Sequence, residues 1–253
     1  MIAPMATPSP LRSGNPVLRA DTFRGPRVLG TEAMTIQGTV NKTALALAIL
    51  FVAAGWTWSA GLEDPRVPTL TMVGVFGGFV AAIVTAFEKE WAPVTTPVYA
   101  ALEGLALGGI SLGFESRYPG LVSQAVFLTF GTLGALLLAY RSGLVRATEK
   151  FKLGVFAATG GILLVYLVGM AMSLFGAAMP LVHDATPLGI AFSVVVVGIA
   201  ALNLVLDFDF VEQGAARGVP KHFEWYGAFG LLVTLVWLYL ELLRLLSKLQ
   251  ERR

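Results

Sequence analysis

Seven stretches of mostly apolar residues, near 41–60, 69–87, 95–114, 121–140, 153–176, 187–209 and 225–247, run through this chain. The hydrocarbon core of a bilayer takes about 20 apolar residues per helical crossing, so each stretch is expected to be a membrane-spanning helix. The breaks between them ("GLEDPRVP", "EKEWAPV", "ESRYPG", "RSGLVRATEKFK", "AAMPLVHDATP", "VEQGAARGVPKHFE") hold the Gly, Pro and charge that stop helices. None is long enough for a soluble domain. Composition agrees: 13% of residues are charged, against roughly 25% in soluble domains. The expected fold class is an all-α polytopic membrane protein, a bundle of seven transmembrane helices spanning 41–247.

Residues 1–40 mix Pro, Gly, Ser and Arg without an apolar run, and read as a disordered or interface-lying tail rather than a signal peptide. Residues 248–253 read as a short basic tail. Lys and Arg favour the cytoplasmic side of a membrane. With the amino terminus inside, twelve fall inside and six outside, four of those six being Arg244, Lys248, Arg252 and Arg253 near the carboxyl terminus. The amino terminus is therefore expected to be cytoplasmic, and the last segment either crosses against the charge rule or is re-entrant. The net charge of +2 lies in short loops and tails, which points to membrane orientation and to no nucleic-acid partner. There is no cysteine, which excludes disulfides and thiolate chemistry.

Charge inside the spans carries the functional information. A charged side chain at mid-membrane costs at least ~2.5–3.5 kcal/mol on insertion scales and so faces protein or water. Glu103, Asp207, Asp209 and Glu241 qualify. Asp207 and Asp209 lie about 200° apart around a helix, so both cannot enter one cavity. Asn203, one turn before Asp207, marks Asp207 as the inward acid. Both acids are expected near the carboxyl end of their helix, where the helix dipole disfavours an anion, with Asp209 nearer the helix end and water. The plainer reading leaves them hydrated at the interface. Glu241 has Arg244 three residues on, the spacing of a local ion pair. Glu103 has no charged neighbour within a turn, and its plainer role is to hold helices together. "EGLALGGISLG" suits close helix packing better than a Gly-lined pathway.

"LVLDFDFVEQG" followed by "EWYGAFGLLVTLVWLYLELLRLLSKL" resembles the last two segments of the Bax inhibitor / YccA family, in its bacterial branch with an extended amino-terminal tail. "SGNPVLR", "VNKTA", "YAALEGLALG" and "AYRSGL" extend the resemblance over nearly the whole chain. It implies a bundle with the last helix surrounded by the other six, in the bacterial inner membrane. It also implies two acids, on the sixth and seventh helices, that share a proton and gate a pH-sensitive calcium leak. Those acids fall on Asp207 and Glu241, which would also hold calcium transiently; oxygen ligands suit that hard cation. No resident cofactor is implied. Relatives carry an arginine latch on the second helix, whereas here the nearest cation is Lys89 beyond Glu88.

An enzyme is not expected. His183 and His222 lie in loops assigned to opposite faces and cannot share a metal site or a triad, and no peptide-handling motif accompanies the acids. The competing reading is a non-conducting regulatory or binding protein of the membrane, a modulator or substrate of a quality-control protease, with the tail as its interacting segment.

Overall fold

The computed structural model describes residues 32–176 and 184–252; residues 1–31, which hold most of the expected tail, 177–183 with His183, and Arg253 lie outside the described residues. Among the described residues seven long α-helices follow one another: α1 Ile36–Ala60, α2 Arg66–Phe87, α3 Ala92–Arg117, α4 Leu121–Arg141, α5 Glu149–Leu174, α6 Pro187–Arg217 and α7 Phe223–Glu251. Each is long and apolar enough to cross a bilayer, and among the described residues there is no strand beyond an isolated bridge between Ala33 and Pro220. The expected all-α polytopic bundle is what forms.

The helix ends follow local capping chemistry. Thr35 caps α1, its hydroxyl accepting from Gly38 N at 2.9 Å, so α1 starts before residue 41, within the stretch assigned to the tail. Thr148 and Thr186 cap α5 and α6 in the same way. The carboxyl end of α6 lies at Arg217, not near residue 209, because the left-handed residue that stops it is Gly218, φ 63°. At the α1–α2 turn Asp64 accepts from Arg66 N and its guanidinium, which hold its carboxyl at about 2. That turn keeps its charge through the range in which a pH response would act.

Burial identifies the centre. Of the most apolar 18-residue window of α7, 67% is buried, against 44% or less for every other helix. Lipid could cover an apolar face, but the charged residues Glu224, Glu241 and Lys248 that α7 buries require protein around it. α7 packs on α1, α3, α4 and α6, while α2 lies chiefly on α3 and α5 on α6. The last helix is thus central, with α2 and α5 as an outer layer. Close approach is set by small residues: a Cβ at Gly108 would come within 2.5 Å of Ala54 O on α1, and one at Gly74 within 2.5 Å of Ala106 N. The "EGLALGGISLG" segment therefore serves helix packing, as its plainer reading held, although Gly113 lies in open space.

α7 does not turn back. Its start lies beside the start of α1, where Gly227 meets Thr39, and its end lies beside the end of α3, where Tyr118 donates to Glu251 at 3.0 Å. One unbroken 29-residue helix joins the two faces, which removes the re-entrant alternative. Nor is residue 248 the start of a tail, since Lys248 is a buried residue of α7.

Reporter fusions before Ile36 and after Arg253 are expected on opposite sides of the membrane. Gly108→Val should lower the melting temperature in detergent by the equivalent of about 1–3 kcal/mol, since the atoms it would meet include backbone that cannot move aside. Gly131→Ala, where a Cβ meets nothing within 4 Å, should leave it unchanged, as fluorescence-detected thermal unfolding would read.

Candidate functional site

Asp207 is completely buried and Asn203 nearly so. Asp207 falls five helical turns after Gly189 and one turn before Val211, both of which meet α7, so it lies on the stripe of α6 that faces the central helix. Because α6 continues for ten residues beyond it, the dipole argument made for its expected place at the helix end does not apply; that field fades within the last turn. Asn203 donates to Thr159 Oγ1 on α5 and to Ile199 O, each at 2.9 Å. Its own Oδ1 is buried without a hydrogen-bond partner among the described residues.

Glu241 is also buried, and its plainer reading describes its contacts. Arg244 Nη1 donates to both carboxylate oxygens, at 2.9 and 3.0 Å, and to the Tyr166 hydroxyl at 2.7 Å. Tyr166 in turn donates to Glu241 Oε1 at 2.7 Å, and the guanidinium lies over its ring, 5.1 Å from the centroid. Through Tyr166, the outer-layer helix α5 reaches the central one.

The expected sharing of a proton between Asp207 and Glu241 fails on register. α6 and α7 are antiparallel: Val211 meets Gly227 near one face, and near the other Lys248 Nζ donates to Gly189 O at 3.1 Å and Ser193 Oγ at 3.0 Å. That register sets Asp207 level with Leu231 and Glu241 level with Val197. The two acids are thus separated by ten residues of helix, about 15 Å at 1.5 Å per residue. They sit in opposite halves of the bundle, too far apart to share a proton or to ligate one calcium ion at 2.3–2.6 Å. Among the described residues no group of three or more acids and histidines converges as a metal site.

The other candidates separate in the same way. Asp209 faces α5 instead of water: Lys152 Nζ lies 2.8 Å from its Oδ2, and Gln213 donates to the same oxygen at 2.6 Å. Glu103 turns its carboxyl toward α2, where a Cβ on Gly78 would lie 2.9 Å from Oε2; it sits in the α2–α3 seam, in keeping with a role in holding helices together.

Three partners escaped the sequence reading. Lys152 belongs to a break in the sequence pattern, yet lies in the first turn of α5 and is 3% exposed. Lys248 follows the last apolar stretch in sequence, yet is buried in α7. Glu224, inside the break "VEQGAARGVPKHFE", is buried and accepts from Thr35 N at 3.0 Å, from Thr35 Oγ1 at 2.9 Å and from Lys42 Nζ. It anchors the start of α1 to α7, beside backbone bonds from Met34 N to Val219 O and from Lys221 N to Glu32 O. The signal for Glu224 was available, since an acid in the first turn of a helix suits the dipole. His222, at the same face, is pushed below its usual pKa by burial.

A seven-helix membrane bundle with a buried central helix and acids placed along it is the class of protein these features define. The family model described as Bax inhibitor 1 like matches residues 15–251, and the chain belongs to that family. No curated protein and no solved structure matches it.

Asp209→Asn leaves Lys152 buried with Glu149, 3.4 Å away, as its remaining ion-pair partner among the described residues. A loss near the lower end of the ~3–5 kcal/mol range for a broken buried pair is expected. Lys152→Met added to it should recover much of the loss, whereas Asp64→Asn, at an exposed and solvent-screened pair, should leave the unfolding temperature close to that of the wild type. Thermal unfolding of the four proteins checks this.

Proposed function

We propose that the chain is a pH-sensitive cation leak of the bacterial inner membrane, with calcium as the conducted ion and the amino terminus in the cytoplasm. One observation carries the reading: the fully buried Asp207 on the α6 stripe that faces α7. A leucine would pack there without the ~2.5–3.5 kcal/mol that insertion scales assign to an intramembrane acid. An acid in such a place supplies what a leucine cannot, a charge that protons switch on and off beside the central helix.

The spacing changes the mechanism from a proton-sharing pair to two stations. A cation moving along α7 meets Asp207 in one half of the bundle and Glu241 in the other. At the second station Arg244 of α7 and Tyr166 of α5 hold the carboxylate, taking the place of the second-helix latch that relatives carry and the sequence here lacks. Release of Glu241 from Arg244 frees a carboxylate for the passing ion, and loss of the Asp207 proton creates the other. The proposed chemistry is electrostatic and needs no catalysis.

Purified protein in liposomes loaded with a calcium dye should show a calcium flux that varies with pH. Asp207→Asn removes the titrating charge at nearly constant volume and should make the flux independent of pH. Glu241→Gln should change the size of the flux while its pH dependence persists, because the stations are separate. A bilayer inert at every pH and gradient would instead favour the non-conducting regulatory protein.

A further inference from the structure

Between α1 and α4 the bundle is not sealed. A cavity of about 230 Å³ opens there, walled by these two helices and floored by α3 and α7. Phe51 of α1 and Phe130 of α4 pack against each other at its rim, with ring centroids 5.8 Å apart. Phe51 is 46% exposed, so the pair lies where the cavity meets the outside. That outside is the lipid-facing surface, since the opening lies within membrane-spanning helices and is flanked by the outward residues Val52 and Phe127.

The lining makes few polar demands. Its hydroxyls are already engaged: Ser111 Oγ and Tyr239 OH bond each other at 2.6 Å, and Thr129 donates to Ala125 O at 2.8 Å. Water needs two to four polar partners to occupy a buried site, and an apolar cavity otherwise stays dry. A hydrated cation would lose its shell and gain no carboxylate. An empty cavity forfeits the dispersion contacts of its lining. A hydrocarbon chain satisfies all three conditions, needs no desolvation because it comes from the membrane, and has room: the cavity's 230 Å³ is many times the roughly 10–15 Å³ that a single water-sized group needs.

We propose that this cavity is a binding site for one phospholipid acyl chain, which enters sideways from the bilayer past Phe51 and Phe130. The bound chain lies against Leu235 and Tyr239 of α7, two residues before Glu241. The site stands on the cavity alone and does not depend on the chain conducting ions.

Full-length protein in phosphatidylcholine vesicles doped with a phospholipid carrying a diazirine midway along one acyl chain, irradiated and mapped by mass spectrometry, tests this. Adducts are expected on the floor residues Leu107 and Leu235, buried from the outside, as well as on outward Phe127 and Leu138. Val126→Phe fills the cavity and should cut floor adducts about tenfold, an occupancy change of ~1.4 kcal/mol, without changing the outward ones. Phe130→Ala trims the mouth without adding volume to the core and should raise floor labelling, which keeps the test decisive if the filled variant does not fold. Adducts confined to outward residues, or floor adducts indifferent to both substitutions, would overturn the proposal.

Discussion

The structure depends on keeping one long helix inside protein. α7 carries Glu224, Glu241 and Lys248 along a helix otherwise dominated by apolar residues, and each is buried. A charge in a low-dielectric interior survives only with partners, and those partners tie α7 to other helices. Glu224 binds Lys42 and Thr35 at the start of α1, Glu241 reaches α5 through Tyr166, and Lys248 donates to the first turns of α6. Without these ties the dispersion packing of apolar side chains would leave the level of α7 within its sheath weakly fixed, since lipid tails offer similar contacts.

The same ties set the spacing of the acids. Once Lys248 is fixed on Gly189 and Ser193, and Gly227 on Val211, Asp207 and Glu241 cannot be neighbours without a slide of α7 by nearly three turns. Their roles therefore divide. Glu241 is held by a cation and a hydroxyl in one half of the bundle, and Asp207 lies buried on the α6 stripe that faces the central helix in the other.

The seven helices were legible because hydropathy alone sets the length of a crossing, and the central place of α7 followed from family resemblance, with burial now giving it a physical basis. Helix ends were less legible. Gly214 and Gly218 are equally good stop signals in sequence, and only the positive φ at Gly218 decides between them. Charge partners were least legible, because they are set by register between helices far apart in the chain: Asp209 with Lys152, and Lys248 with Ser193. Residues written off as loop or tail charge proved to be buried ties. Asp207 with Glu241, selected by both burial cost and resemblance, shows the limit of both routes, since neither measures distance along the bundle axis.

Independence of the two acids is the central claim, and infrared difference spectroscopy of the carboxyl stretch across a pH titration tests it most directly. The Asp207 band, assigned by its loss in Asp207→Asn, should titrate at the same midpoint in the wild-type protein and in Glu241→Gln. Interacting carboxyls shift one another by more than about one pH unit, so a displacement of that size on removing Glu241 would contradict the two-station account and restore a coupled pair.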